Sequence, residues 1–322
     1  MFTNPTGDFK MTHKFGFSME SVNSLFFNSP KPGHAITVHS GLFHADDVCA
    51  TALTEILNED FGWTRPEIIR TRDESAFRGL IIDVGEGQFD HHGAAAGVDA
   101  DGVPFSGFSR IFLHLVKENG LENDRACQLF KKRVVDPVSK LDNGQALEPG
   151  EFSLFSWVNT FNPGFGEEDV DRHFTEAVEA AKPILRAAWA KAVADARGEE
   201  ALASVVEEAQ HHNIVEVPKG LDSLWPRALA STKALFALIH VDDTWYVQCV
   251  PATAEDIFSK KVPLPERWSG LRGEDFAKVC GFDDAVFCHV GRFICGFKTR
   301  ESAELAATAA IVEDAAAVER GE

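Results

Sequence analysis

Histidine and aspartate side chains are concentrated in one short segment of the chain, which reads His39-Ser40-Gly41-Leu42-Phe43-His44-Ala45-Asp46-Asp47. Imidazole and carboxylate groups are common protein ligands of divalent metal ions. The segment therefore suggests metal-dependent chemistry. A simpler interpretation is equally open at this point: Asp46 or Asp47 caps a helix, and the two histidines are polar surface residues.

Two further places carry the same residue types. Asp83 ends the apolar run at 80–82, and Asp90, His91 and His92 follow seven to nine residues later. Asp142 lies in the sequence Leu141-Asp142-Asn143-Gly144. Taken singly, Asp83 is a turn or cap residue, the histidine pair is a hydrogen-bonded polar pair, and Asp142 forms an Asx turn. Taken together, they predict one metal site.

The predicted elements bring these residues to one edge of a sheet. Residues 35–38 form a short β-branched run, a helical pattern begins at Asp46, and further apolar runs occupy 67–70 and 80–84. This alternation is typical of α/β folds with a parallel sheet. Such sheets bind ligands at the carboxyl ends of their strands, which is where His39 and Asp83 stand.

The rest of the chain predicts a second, mixed α/β region. Helical patterns cover 107–119, 122–141 and about 168–210. Apolar runs at 235–240 and 245–250 flank Asp242-Asp243-Thr244 and predict a β-hairpin. A helix at 273–280, strands at 285–289 and 293–297, and an alanine-rich packing helix at 300–317 are expected to follow.

Composition excludes several classes of protein. The 322 residues include 31 Lys and Arg against 50 Asp and Glu, a net charge of −19 that argues against a general coat for duplex DNA. The sequence contains no apolar run long enough to span a bilayer and no N-terminal secretion signal, so no membrane association is expected. Six cysteines without a C-x-x-C pair favour a reducing, cytoplasmic location.

The order of His39-x4-His44-x-Asp46, Asp83-Val84-Gly85, Asp90-His91-His92 and Asp142 resembles the DHH phosphoesterase superfamily. More closely, the chain is similar to the melanocyte-proliferating-gene (Myg) family. That similarity rests on the motifs at 38–44, 70–73, 142–144, 161–163, 248–251, 264–272 and 293–301, and it covers about residues 34–312.

The resemblance implies a phosphodiesterase with two divalent metal ions. His39, His44 and Asp83 would hold one ion, and Asp46, Asp83, His91 and Asp142 would hold the other, with Asp83 bridging. Such a pair of ions can polarise a phosphoryl oxygen and activate a water molecule. The mixed ligands favour Mn²⁺, with Mg²⁺ or Co²⁺ as alternatives.

The resemblance also implies roles for neighbouring side chains. His92 would face the substrate as a catalytic residue, although it could instead orient His91 or Asp46. Asp90 would support the catalytic group from behind. Arg70 and Arg72 could grip a phosphate, but an ion pair with Asp73 explains them equally well. Four residues in the second region could bind the far end of the substrate, or could simply be solvated: Arg267, Arg272, Lys298 and Arg300.

The predicted organisation has four parts. Residues 1–33 form an N-terminal extension, 34–167 a DHH-type catalytic domain with a parallel sheet, 168–215 connecting helices, and 216–322 a smaller mixed α/β substrate-binding domain. The length itself favours about two domains.

Several departures from the Myg pattern bear on substrate contacts. Ala45 and Asp47 replace a cysteine and a glutamate around Asp46, and Gly93 stands where a glutamine usually follows the histidine pair. The function that the resemblance implies is an exonuclease acting on single-stranded RNA or short oligonucleotides, either as a single chain or as a homo-oligomer. The alternatives are a phosphatase or phosphodiesterase acting on small phosphorylated molecules or cyclic dinucleotides, and a metal-binding interaction protein without catalysis.

Overall fold

A computed structural model describes residues 15–28, 32–93, 96–146 and 152–320. The described chain forms two compact units, divided between Ala196 and Arg197. We call them unit 1 and unit 2, unit 1 being the one that carries the predicted metal site. The division falls inside the long helix α7, Val170–Glu208, which occupies most of the stretch expected to hold several connecting helices.

Unit 1 contains the predicted parallel sheet. Strand β1, Ala35–Val38, lies between β2, Glu67–Arg70, and β3, Leu80–Ile81, and both pairings are parallel. Gly79 makes this pairing close, because a Cβ at that position would lie 2.0 Å from the carbonyl oxygen of Ala35. All three strands therefore end at the same edge, as the alternating pattern predicts.

Helices cover this sheet and close the core of unit 1. They are α1 (Met19–Phe27), α2 (Ala45–Phe61), α3 (Gly107–Glu118), α4 (Arg125–Phe130), α5 (Asp136–Asp142), α6 (Leu154–Asn159) and the first part of α7. A π-helical turn, Lys131–Val135, joins α4 to α5. Helix α2 is buried from Ala45 through Asn58, so it runs through the centre of the unit.

Part of the predicted N-terminal extension belongs to this core. Phe15, Val22 and Phe26 are buried among the residues of unit 1, and Phe15 stacks on Trp189 with ring centroids 4.7 Å apart. The extension therefore contributes to folding of unit 1, since removing aromatic side chains of this size from a core costs about 3–5 kcal/mol each.

Unit 2 is mixed α/β, as expected. Its five-stranded sheet has the order β4-β5-β6-β8-β7, with β4 and β5 parallel and the remaining pairs antiparallel. The strands are β4 (Ile214–Glu216), β5 (Phe236–Val241), β6 (Thr244–Cys249), β7 (Ala285–Cys288) and β8 (Ile294–Phe297). The predicted hairpin is confirmed between β5 and β6.

Within the described residues, the helices that accompany this sheet are the last part of α7, α8 (Trp225–Ala230), α9 (Gly273–Cys280) and α10 (Arg300–Arg320). Ala303, Ala306, Ala307 and Ala310 of α10 are buried at helical spacing, which confirms the predicted packing face. No helix of the described ranges is both long and apolar enough to cross a bilayer.

Candidate metal centre

The carboxyl edge of the parallel sheet carries the first two site residues. His39 directly follows β1, and Asp83 lies two residues beyond β3. Both are buried, at 3% exposure. Asp83 has a left-handed φ of 55°, a conformation that costs energy in residues other than glycine and that often marks functional positions.

The start of α2 adds an imidazole and two carboxylates. His44 is the N-cap residue, and Asp46 and Asp47 lie fully buried in the first turn. Asp47 does cap the helix, because its Oδ1 accepts a hydrogen bond from the backbone N–H of His44 at 3.1 Å. Its other oxygen, Oδ2, lies 3.2 Å from Nε2 of His39. One oxygen of the Asp47 side chain thus caps the helix, and the other faces the metal site.

The later segments meet the same place. Nε2 of His91 lies 3.0 Å from Oδ1 of Asp83, 3.1 Å from Oδ2 of Asp142 and 3.7 Å from Oδ2 of Asp46. Asp142 is at the end of α5, and its Oδ1 lies 3.7 Å from Nδ1 of His44. The fold therefore brings together the histidines and aspartates that are widely separated in sequence.

The buried atoms of this cluster are poorly satisfied without a cation. Oδ1 of Asp46, Oδ2 of Asp47, Oδ1 of Asp83 and Nε2 of His91 are buried and lack a hydrogen bond of acceptable geometry. Buried polar atoms of this kind normally have a partner. Lone pairs that converge without bonding to each other fit a divalent cation between them.

Electrostatics supports the same interpretation. Burial, followed by the nearby charge of Asp83, raises the pKa of Asp46 and Asp47 well above the usual aspartate value. Burial alone would lower the pKa of His91, but the carboxylates of Asp142 and Asp83 outweigh it and raise that pKa to about 10. Without a metal, the site must take up protons to offset its negative charge, and a divalent cation would serve instead.

Among the described residues, three groups of side chains have ligand atoms close enough to hold an ion, with all atoms of a group within 4.8 Å of one another. The first is His39, His44 and Asp83, the set expected for one metal ion. The others are Asp83 with His91 and His92, and His44 with Asp46 and Asp142. The predicted second set is thus divided between two groups that lie next to each other. The number and identity of the ions stay predictions.

His39 is oriented for ligation by its backbone neighbour. Its Nδ1 lies 3.2 Å from the carbonyl oxygen of Ser40, so Nδ1–H is the donor there and Nε2 faces the carboxylates. Burial lowers the pKa of this imidazole. Burial thus favours the neutral ring, and the Ser40 contact places its one proton on Nδ1, which leaves the Nε2 lone pair free to bind a metal.

His92 and Asp90 form a separate pair at the mouth of the site. Nδ1 of His92 lies 2.8 Å from Oδ1 of Asp90, and the His92 side chain is 60% exposed. Asp90 is buried and also accepts hydrogen bonds from the backbone N–H groups of His92 and Glu86. Burial opposes ionisation of Asp90, but these hydrogen bonds prevail and lower its pKa. Asp90 is therefore an anchored carboxylate behind an exposed imidazole.

Arg70 holds the loop that carries two candidate ligands. Its guanidinium donates to the carbonyl oxygens of Gly41 at 2.6 Å and His39 at 3.3 Å, and to Asp171 at 2.8 Å. The side chain is only 2% exposed and lies over the ring of Phe174 at 4.7 Å. These contacts occupy the guanidinium with the protein itself. The structure pairs Arg70 with Asp171, whereas the alternative interpretation of this residue expected Asp73.

We expect Arg70→Ala to weaken metal binding about 10- to 100-fold, because residues that orient metal ligands usually contribute this much. Arg70→Lys should recover only part of the loss, since an ammonium group cannot reproduce the fork of bonds to the loop. Calorimetric titration with Mn²⁺ would measure the effect. Asp171→Asn is the matched control and should change little, because Asp171 is 73% exposed. An unchanged metal affinity in Arg70→Ala would contradict the positioning role.

Arg72 is exposed and close enough to His39 for its charge to lower the pKa of that imidazole. It has no ion-pair partner within the ranges that the structure describes. Of the two arginines, Arg72 is therefore the one available to an anionic ligand, and its predicted role in substrate binding is untested.

Three residues outside the predicted ligand sets also shape the site. Asp47 faces His39, as described above. Gly107 donates its N–H to Oδ2 of Asp46 at 3.1 Å, and a Cβ there would lie 3.4 Å from Cβ of Asp83. Asn162 bonds both backbone groups of Phe43, accepting at 3.0 Å and donating at 2.8 Å. Asp47 and Asn162 carried a sequence signal, Asp47 as a carboxylate of the 39–47 segment and Asn162 as part of the Phe161-Asn162-Pro163 motif, whereas Gly107 carried none.

In unit 2, three of the four predicted substrate-binding residues have acidic partners. Arg267 pairs with Glu313, Lys298 with Asp243 at 2.7 Å, and Arg300 with Glu216 at 3.1 Å and Glu304 at 2.7 Å. Arg272 instead lies over the Phe287 ring at 5.6 Å.

These residues do not form one compact group. Arg300 begins α10, and the partner of Arg267 is Glu313, about 20 Å further along that helix at 1.5 Å per residue. A single clamp made of all four side chains does not match this spacing, and their role in substrate binding stays a prediction.

Comparison with known proteins shows which protein family the chain resembles. The family model MYG1_exonuc, described as an uncharacterised protein family (UPF0160), matches residues 35–311. The chain is 27% identical to human MYG1 exonuclease, over 86% of each chain. It is 28% identical to MYG1 proteins of Chlamydia pneumoniae and Dictyostelium discoideum, in each case over 84% of this chain and 94% of the relative. No solved structure matches it significantly.

Proposed function

The chain belongs to the MYG1 family, and from that premise we propose that it is a metal-dependent phosphodiesterase that degrades single-stranded RNA or short oligonucleotides from one end. The observation that carries the proposal is the convergence of four buried or nearly buried carboxylates and three imidazoles at one sheet edge. Relatives named MYG1 exonuclease support the substrate class. The membership of this site in the DHH superfamily is part of the proposal.

Each ligand has a defined place in the proposed centre. His39, His44 and Asp83 would hold one ion, and Asp46, Asp83, His91 and Asp142 a second. Mn²⁺ is the first choice, with Mg²⁺ or Co²⁺ as alternatives. Bound divalent ions of this kind polarise a phosphoryl oxygen and lower the pKa of a coordinated water molecule.

The remaining side chains divide the other tasks. Asp90 holds Nδ1 of His92, which leaves Nε2 of that exposed ring directed away from Asp90 and available to give a proton to the leaving oxygen. Arg72 supplies a positive charge near His39 for a substrate phosphate. Arg70, Asn162 and Gly107 keep the ligand-bearing segments in place.

A substrate panel tests this function. Purified protein loaded with Mn²⁺ should shorten end-labelled single-stranded RNA stepwise and should cleave pyrophosphate or mononucleotides far more slowly. Faster turnover of the small phosphates would favour the small-molecule phosphatase. Metal binding with no hydrolysis of any ester would favour the non-catalytic alternative and overturn the proposal.

Metal binding should also stabilise unit 1. At a Mn²⁺ concentration about 100 times Kd, binding contributes about 2.7 kcal/mol. For a unit of this size, that corresponds to a rise in Tm of roughly 5–10 °C. Scanning calorimetry with and without a chelator would measure it. A transition that does not respond to any divalent metal would contradict the site, and Mg²⁺ and Co²⁺ scans would rank the ions.

A further inference from the structure

Unit 1 contains a cavity of about 1120 Å³ in addition to the metal centre. Helix α3, the segment from α4 to α5 and the stretch around Phe105 line it. None of the proposed metal ligands is among the described residues of its wall. The cavity is therefore a separate feature from the catalytic site.

Backbone contacts join the two places. Phe89 lines the cavity, and its carbonyl oxygen accepts a hydrogen bond from the N–H of Asp83 at 3.1 Å. Lys140 lines it from α5, two residues before Asp142. The cavity and the metal centre are therefore built from the same segments of unit 1.

The wall is basic although the chain is strongly acidic. Six of the described lining residues are cationic: Arg110, Lys117, Arg125, Lys131, Lys132 and Lys140. Four are acidic: Asp99, Asp101, Glu122 and Asp136. The excess of positive charge contrasts with the net charge of −19 for the chain. An electropositive concavity in an acidic protein concentrates anions.

The lysines of this wall differ in their partners. Lys131 is surrounded by Asp99, Asp101 and Asp136, at 2.7, 2.8 and 3.0 Å. Lys117, Lys132 and Lys140 are exposed and have no ion-pair partner in the part of the chain that the structure describes. These three ammonium groups are therefore available to a ligand, and three of the four acidic groups are already bound to Lys131.

The spacing of the cations fits a strand. Arg110 and Lys117 lie seven residues apart on one face of α3, about 10 Å along its axis, and Lys132 and Lys140 line the cavity from the α4–α5 segment. That length accommodates about three stacked nucleotides of one strand. The ring of Phe105 lines the same wall, and the guanidinium of Arg110 lies over one face of it at 4.5 Å. Cations with an aromatic ring in a groove are typical of single-strand binding.

We propose that this groove binds the phosphate backbone of the single-stranded nucleic acid substrate next to the metal centre. The proposal rests on the proposed function for the identity of the ligand. It adds a binding site that lies wholly within unit 1 and requires none of the basic residues of unit 2. Long strands would be held by the groove and degraded at the adjacent site, whereas dinucleotides would be too short to reach both.

Binding to labelled single-stranded RNA of about 20 nucleotides tests the groove. In the triple variant Lys117→Ala, Lys132→Ala, Lys140→Ala, affinity at low salt should fall at least about tenfold. The slope of log K against log salt should decrease by about 2, because each lost phosphate contact contributes about 0.7 for single strands. The corresponding triple Lys→Arg variant keeps the charges and should retain affinity. Arg78→Ala removes an exposed cation near the amino ends of the strands and should have little effect.

Several outcomes would overturn the proposed role of the groove. The triple alanine variant could keep its affinity and salt slope, or Arg78→Ala could lose as much affinity as that variant does. A folded triple arginine variant could lose affinity, or duplex RNA of the same length could bind as tightly as the single strand. Hydrolysis of bis(p-nitrophenyl) phosphate separates this result from the function itself. We expect it to be unchanged in the triple variant, because the small diester does not need the groove. Absence of that hydrolysis in the wild type would count against the proposed function, while the RNA-binding data would still decide on the groove.

Discussion

Asp83→Asn is expected to lower kcat for RNA hydrolysis by at least about 10³-fold. Asp83 belongs to two of the three ligand groups, so its loss would weaken both proposed ions at once. Charge stabilisation by a metal ion is worth several kcal/mol, and about 4 kcal/mol corresponds to this factor. Asparagine is the appropriate replacement, because it tolerates the left-handed backbone at this position better than alanine does.

Two measurements belong to this experiment: calorimetric titration with Mn²⁺ and single-turnover cleavage of end-labelled RNA. Metal affinity should fall together with the rate. Asp283→Asn, an exposed position in unit 2, is the control and should leave both unchanged. If the Asp83→Asn variant kept more than a tenth of the wild-type rate, the proposed bridging role of Asp83 would be wrong.

The second large effect is expected at His92. His92→Gln should reduce kcat about 10²- to 10⁴-fold, the range for loss of a general acid, while Mn²⁺ affinity stays within a few-fold of wild type. The exposed ring and its bond to Asp90 are the reasons for expecting proton transfer. His92 is also one of three side chains in a candidate ligand group. The experiment must therefore distinguish proton transfer by His92 from metal binding by His92.

A substrate with a good leaving group separates these roles. Bis(p-nitrophenyl) phosphate releases nitrophenolate, which needs no proton, so His92→Gln should slow its hydrolysis much less than that of RNA. Asp90→Asn should produce a smaller defect of about 10- to 100-fold on RNA. Asp90 only orients the His92 ring, and the ring itself is still present in this variant. Equal losses on both substrates, accompanied by loss of metal, would show that His92 acts as a ligand instead.

Short-range patterns were sufficient to predict most elements of the fold. The β-branched run at 35–38, the apolar runs near 67–70 and 80–82, and the Asp-Asp turn between β5 and β6 all correspond to observed strands or turns. The predicted helix at 122–141 has the right location, although a π-helical turn at Lys131–Val135 interrupts it. Periodicity reports which face of a segment is buried, and this information is local.

Residues 15–28 illustrate the limit of local patterns. Their turn signals and position before the first strand suggested an extension, yet Phe15 and Phe26 lie in the core of unit 1. Whether such a segment is buried depends on the shape of the rest of the core. A local sequence pattern carries no information about that shape.

The metal centre also has features that the sequence predicts and features that depend on tertiary packing. Residue types, their order and the resemblance to the Myg family were enough to propose His39, Asp83, His91 and Asp142 as partners. Parallel strands must end at a common edge, which accounts for His39 and Asp83, and imidazole and carboxylate groups bind the same metal ions. The tasks of Arg70, Gly107 and the second oxygen of Asp47 depend on atoms that approach each other across more than one element. Such approaches are set by how helices pack on the sheet. Packing is a property of the folded chain, so no spacing along the sequence could have revealed them.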